Sequence, residues 1–344
     1  MINQKKWVVS LGMILVILGV ISIGLASAQT PKLKLKLQTH LIAGDTKRVM
    51  TKFIESISAM SGGQIEITTF PVGALVPMKD VLEAVGKGAL DMALIAEGYW
   101  FKIVPVTEIA QGLPFSFRDL EESKYFMFQK GFADLIREDY AKHNVYFIPY
   151  ETYPVGLMTK KPIRSMDDFK GMKLRAFGVM ADWLTKMGAS TVFIPGGELY
   201  TALATGVVEG AHWGDAGPMF IMKLHEVLKN YMRPEPVQGG WNNLIVNMDL
   251  WKKLTSEQKA IIETAAMGCG TFYSYNDTRL ISKRSLNEMK SKWRVKENTL
   301  PDEEIEKMTK VSMEIWDDLA KKGPLNAKAI SMLKDFLKEL GHIK

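Results

Sequence analysis

The chain carries one cysteine, Cys269, among 344 residues. That excludes an intramolecular disulfide, and with it the stapled scaffolds of small secreted domains. Histidine is also scarce, with five in the chain and no H-x-x-x-H pair, so a helical metal motif is missing. No G-x-S-x-G elbow, P-loop or G-x-G-x-x-G turn occurs, which removes the common hydrolase, nucleotide-hydrolysing and dinucleotide-binding classes. Ser61-Gly62-Gly63 and Gly196-Gly197 are too short to cradle a phosphate. The formal net charge is only +6, and the basic excess is spread along the chain. Nucleic-acid binding needs a clustered basic face and has no footprint here. Beyond Leu25 no apolar run approaches the length that crosses a membrane.

What is present starts with a leader. Lys5 and Lys6 precede an apolar run from Trp7 to Leu25 and then Ala26-Ser27-Ala28, the pattern of a signal peptide over 1–28 cut after Ala28. An uncleaved anchor is the alternative reading of the same run. Either way the remainder is directed to the periplasm, and no cysteine near the cut suggests lipid attachment. Removing the leader leaves about 316 residues, a length suited to two domains, with a charge of about +4. Such a surface favours encounter with anions by steering. Cys269 reads as a small apolar group buried in a helix.

KLKLKLQ over 32–38 alternates Leu33, Leu35 and Leu37 against lysines, which predicts a half-buried strand. Asp45 is placed to cap a helix with Val49, Phe53, Ile54 and Ile57 on one face, stopped by Ser61-Gly62-Gly63. A strand over 64–70, a helix over 77–86 and a strand over 91–96 follow. A helix over about 120–142 leads to strands near 145–150 and 155–159. A second alternation begins at Ser165-x-x-Asp168, a capping signal. It runs through strand 172–176, helix 180–188, strand 191–194 and helix 198–205, with Gly197 as its cap and Gly206 at its left-handed end. Strand pairs near 149–155 and 240–247 are candidates for crossings between two α/β units. Thr255 and Gln258 form a capping box for a helical pattern lasting to Trp293, roughly 55 Å if continuous. Gly268 and Gly270 lie inside it and mark a candidate bend.

The segment from Gly171 to Gly214 reads GMKLRAFGVMADWLTKMGASTVFIPGGELYTALATGVVEGAHWG. Its Lys173-Leu174-Arg175 and its G-E-L-Y-T-A-L-x-x-G-V-V-E-G-A run resemble the signature of the periplasmic solute-binding subunits of TRAP transporters. That resemblance implies a two-lobed α/β binding-protein fold, with mixed, mostly parallel sheets, flanking helices and a long helix across both lobes. One lobe is expected from 29–152 with about 242–282, the other from 153–241 with about 283–344. It also implies a non-enzymatic receptor for a small organic acid anion. The receptor would close over its ligand and hand it to ion-gradient-driven TRAP membrane permease subunits. A monomer or a homodimer, and no cofactor, are compatible with it. A periplasmic sensor feeding a signalling receptor would share the same residues.

Arg175 ends a strand on the face opposite Leu174, at the edge where α/β sheets leave their ligand crevice. Its guanidinium offers a fork that matches two carboxylate oxygens, and in the family this arginine is the anchor. The resemblance puts a pocket-lining residue at Trp213, with Gly210 and Gly214 allowing close approach. His212 and Asp215 read either as a metal pair or as a neutral imidazole beside a carboxylate. Some relatives that bind 2-oxo acids carry a metal-holding acid where His212 stands, and its replacement favours the metal-free reading. Glu97 reads as a carboxylate that bonds a ligand hydroxyl or amino group, or as a surface group. Tyr99 and Trp100 beside it are candidates for a cleft wall. Tyr153 lies where many relatives have a second arginine or a glutamine, which favours a small monoanion with Tyr153 donating one hydrogen bond. Trp241, with Asn242 and Asn243, reads as an aromatic wall or as ordinary sheet packing.

Overall fold

In the computed structural model, which describes residues 32–344, the lysine-leucine alternation becomes strand β1, Leu33–Thr39. Leu35 and Leu37 are buried and Lys34 and Lys36 exposed, as a two-residue period requires. The expected signal peptide lies outside the described residues, among which no helix is long and apolar enough to cross a membrane. Strands β2 (Ile65–Phe70) and β3 (Met92–Ala96) pair parallel with β1. The remaining strands are β4 (Val145–Thr159), β5 (Lys173–Arg175), β6 (Ser190–Val192), β7 (Gly210–Trp213), β8 (Asn230–Arg233), β9 (Val237–Asn247) and β10 (Lys296–Thr299). Their order is β2-β1-β3-β9-β4-β7-β5-β6, with β8 against β4 and β10 against β8. The chain therefore forms a two-lobed α/β fold, in which β4 and β9 run antiparallel through both halves.

These crossings lie where the sequence placed them, but as one 15-residue strand where two were expected. Pro149 and Pro154 sit at two register shifts in the β4–β9 pairing, between Pro149 and Glu151 and between Tyr153 and Pro154. A bulge tolerates a residue without an N–H, so the strand bends there without ending.

Other local expectations are corrected in the same physical terms. The helix Ala43–Met60 has Ile42 at its N-cap, and Asp45 stands in the first turn, stabilising the positive end without capping it. The span 120–142 is two helices, Leu120–Gln129 and Phe132–Ala141, because Gly131 adopts φ +86° between them. The helix before Gly206 is Gly196–Ala204 with Pro195 as N-cap, so Gly197 is inside it rather than before it. Gly206 does take a left-handed φ of +79° just past the C-cap. Both capping boxes form, at Ser165 with Asp168 and at Thr255 with Gln258.

The long helical stretch runs as Ser256–Ala265, a π-helical segment Ala266–Ser274, and Tyr275–Trp293. Its first part packs on Ala43–Met60, its π-helical segment on Ala43–Met60 and β4, and its last part on the helix Ala216–Ile221, so it spans both lobes. Of the two internal glycines only Gly270 is sterically required. A Cβ on Gly270 would lie 2.4 Å from the Tyr150 carbonyl oxygen of β4, whereas one on Gly268 would meet nothing. Cys269 is buried at this contact, its thiol 3.4 Å from the Ser56 hydroxyl.

At the C-terminus, Asp302–Ala320 packs on Gly178–Lys186. The last helix, Pro324–Glu339, returns to the first lobe, where Phe336 stacks on Phe126 at 5.9 Å and Glu339 pairs with Lys130. The sequence-based division grouped 283–344 with the second lobe. The apolar face of this helix, Leu333 with Phe336 and Leu337, is buried, and the helix packs on both Asp302–Ala320 and Phe132–Ala141.

Candidate ligand-binding site

Arg175 is the last residue of β5, between the parallel neighbours β6 and β7. Strand alternation drives Leu174 into the core and Arg175 to the other face, yet the arginine is only 3% exposed. Its Nε donates to the Ile194 carbonyl at 3.1 Å and its Nη1 to the His212 carbonyl at 2.8 Å. Three rings surround the guanidinium carbon, Trp213 at 4.6 Å, Phe177 at 5.1 Å and Phe193 at 5.6 Å. The carbonyls fix the direction of the group, and the aromatic faces attract its charge without neutralising it. Burial lowers its pKa to about 10, so it stays charged at neutral pH. Neither of the two hydrogen bonds uses Nη2, so an end-on fork remains for a carboxylate.

Phe177 and His212, which touch Arg175, also line a cleft of about 440 Å³, a volume that includes open solvent. Phe101, Val155, Phe177 and Met180 give it apolar walls, and Gln111 and His212 supply polar atoms. It is made of both lobes, with Gly98 and Gln111 from one and Phe177 and His212 from the other. His212 is buried with both ring nitrogens unpartnered. Burial first, and the Arg175 charge second, lower its pKa to about 3, so the imidazole is neutral. Trp213 lies over the start of the helix Gly196–Ala204: a Cβ on Gly196 would be 2.8 Å from its ring. Gly210 and Gly214 serve the protein, not a ligand. Cβ atoms there would meet the Met158 carbonyl at 2.7 Å and Pro218 at 2.9 Å.

The other expected residues separate. Asp215 caps the helix Ala216–Ile221 by accepting from the Gly217 N–H at 3.1 Å, and faces Arg279 of the long helix at 3.8 Å. Burial raises it to about 6. Tyr153 lies on the crossing strand beside Gln111, and burial raises its phenol well above the usual range. Trp241 stands apart, fully buried, its indole N–H donating to Ser123 at 3.0 Å and its ring edge-on to Phe128. Its surroundings are ordinary core. Tyr99 is half exposed, and Trp100 is buried behind it.

Glu97 is entirely buried, which excludes the surface reading. Its Oε1 accepts from Asn243 Nδ2 at 2.7 Å and its Oε2 from the Tyr140 hydroxyl at 3.0 Å. Burial nevertheless raises its pKa to about 8 against the pull of those two bonds. The folded chain thus holds this proton to higher pH than the unfolded chain, and stability falls as pH climbs from 4.5 towards about 8. Glu97→Gln, isosteric with the neutral acid, is expected to melt with wild type near pH 5 and above it near pH 8. Superimposable melting curves at both pH values would show that Glu97 carries no such proton.

Phe177, Phe193 and Gln111 were not singled out from the sequence. Phe177 had a signal, since it follows Arg175 by one strand period. Gln111 had none: it follows the short helix Thr107–Ala110 and meets the cavity only through the folding of the two lobes.

Residues 45–322 match the model of the bacterial extracellular solute-binding protein, family 7. A monocarboxylate 2-oxoacid-binding periplasmic protein of Nostoc sp. is 30% identical over 220 residues, covering 61% of this chain and 58% of that protein. The C4-dicarboxylate-binding periplasmic protein DctP of Rhodobacter capsulatus is 24% identical over 300 residues, covering 86% and 89%. Among solved structures, a TRAP periplasmic solute-binding protein of Pseudoalteromonas atlantica with bound sodium and pyruvate superposes at a TM-score of 0.80. It is 20% identical and covers 90% of this chain and 95% of that one. One from Bordetella bronchiseptica, with calcium and picolinate, also gives 0.80 at 21% identity, covering 91% and 94%. These relatives are solute-binding proteins rather than enzymes. This chain belongs to family 7 of the bacterial extracellular solute-binding proteins, the TRAP-type solute-binding subunits.

Proposed function

We propose that this protein is the periplasmic receptor of a TRAP transporter that captures a small organic monoanion and delivers it to the membrane permease. The observation that carries the reading is the Arg175 guanidinium, buried behind Phe177 and His212 of the cavity lining and fixed by two backbone carbonyls. One lobe, 29–152 with about 242–282, would close on the other, 153–241 with about 283–344, the last helix staying docked on the first. Hydrogen bonds with a charged partner contribute about 1.5 to 3 kcal/mol each, while a micromolar complex needs about 8 kcal/mol. Burial of the ligand's apolar part against Phe101, Val155 and Phe177 supplies the rest. Ligand-stabilised closure would present the surface that the permease recognises.

Relatives in solved structures hold sodium or calcium with their ligand. The residues here do not fit such an ion. The imidazole of His212 lies next to the Arg175 charge, and among the described residues no three acidic, histidine or cysteine side chains converge. EDTA is therefore expected to leave affinity unchanged in calorimetry, and loss of the binding heat would restore a metal-bridged site. Native mass spectrometry of protein purified without refolding tests the whole reading. A retained small acid supports it. Failure of every carboxylate in a calorimetric panel to bind would remove it.

A further inference from the structure

Gln111 lines the cavity, and the protein leaves one atom of its side chain unmet. Its Oε1 is buried without a hydrogen-bond partner. A buried oxygen in that state has lost its water without gaining a partner, so a group that donates to it is selected. The position is built rather than incidental. The Gln111 backbone N–H donates to the Thr107 carbonyl at 2.9 Å, which continues the helix Thr107–Ala110 by one residue. Gly98 makes the room, since a Cβ there would lie 2.8 Å from Oε1. The Gln111 side chain also lies beside the Tyr153 hydroxyl.

The cavity thus offers two kinds of polar partner. Arg175, set behind the lining residues Phe177 and His212, is a donor only. The neutral His212 ring has one N–H and one bare nitrogen, both unpartnered. Gln111 Oε1 accepts only. A 2-oxo acid carries acceptors alone, so its carboxylate and keto oxygens match Arg175 and the imidazole N–H but leave Oε1 bare. A 2-hydroxy acid presents the same carboxylate and adds an O–H that donates. An ammonium group would also reach Oε1, but it would bring a second positive charge near Arg175. Glu108, the carboxylate in the lining, is already paired with Lys322.

We infer that Gln111 determines specificity here, selecting 2-hydroxy monocarboxylates with an apolar side chain over the matching 2-oxo acids. This rests on the receptor reading above. The test is calorimetry with two matched pairs, lactate against pyruvate and 2-hydroxy-4-methylpentanoate against 4-methyl-2-oxopentanoate. Wild type is expected to bind the better hydroxy acid at least tenfold more tightly than its oxo partner. Gln111→Met should bring that ratio close to one, chiefly by weakening the hydroxy acid. Gly98→Ala, which displaces the amide without removing it, should shrink the ratio too, and serves alone if Gln111→Met does not fold. Equal affinities in wild type, a preference for the oxo acid, or a ratio unchanged in a folded variant would overturn the inference and leave the receptor intact. So would binding only of carboxylates outside these pairs. Should no monocarboxylate bind, the receptor reading fails and the inference falls with it.

Discussion

Arg175→Lys is expected to weaken binding of the retained acid at least tenfold while preserving the fold, and Arg175→Met at least a hundredfold. The arginine already spends Nε and one N–H of Nη1 on the Ile194 and His212 carbonyls, at 3.1 and 2.8 Å. What remains is a rigid pair of N–H groups pointing from Nη1 and Nη2, suited to two carboxylate oxygens at once. Two charge-assisted bonds are together worth about 3 to 6 kcal/mol, more than the roughly 2.7 kcal/mol that a hundredfold change requires. Lysine keeps the charge, but a single ammonium cannot hold both carbonyls and both ligand oxygens in one plane. Both variants also strip partners from buried carbonyls, at a cost of about 1 to 3 kcal/mol each, so a lowered melting temperature should accompany the lost affinity. Affinity unaltered in a folded Arg175→Lys protein would remove the anchor, and with it the proposed mode of capture.

The second large effect concerns the junction between the lobes. Gly270→Ala puts a Cβ 2.4 Å from the Tyr150 carbonyl oxygen and 2.7 Å from its carbon, both backbone atoms of the crossing strand. Neither can rotate away as a side chain tip would. The long helix must lift from β4, and overpacking of this kind costs about 1 to 3 kcal/mol. Gly268→Ala is the control, because a Cβ there meets nothing within 4 Å. The helix propensity of alanine should make that variant neutral or stabilising by up to about 1 kcal/mol. A thermal scan in which both variants melt alike would refute the close contact. The contact holds the π-helical segment against the strand that joins the lobes, so Gly270→Ala should also weaken ligand binding through altered closure.

Much of the fold was legible because it rests on short-range rules. The alternation of Leu33, Leu35 and Leu37 gave β1, and Thr255 with Gln258 gave the start of the long helix. What failed was reading punctuation without its surroundings. The gap left between strands 145–150 and 155–159 proved to be continuous strand with register shifts at Pro149 and Pro154, since β9 pairs on either side. Gly210 and Gly214 looked like places for a ligand, but neighbouring protein atoms fill them. Glycine reports that something comes close and says nothing of what.

The site divides along the same line. Residue types and spacing alone determined that a charged fork would end β5, that an aromatic residue would end β7, and that no common catalytic motif was available. Only the tertiary structure decided which polar groups share a cavity. Gln111 and His212 come from different lobes, and Asp215 and Trp241, both candidates by sequence, turn to a helix N-terminus and to the core. The reason is that an atom's chemical availability depends on whether some distant part of the chain has already met its hydrogen-bonding need. That balance is struck between segments far apart in the chain, and local pattern carries no record of it.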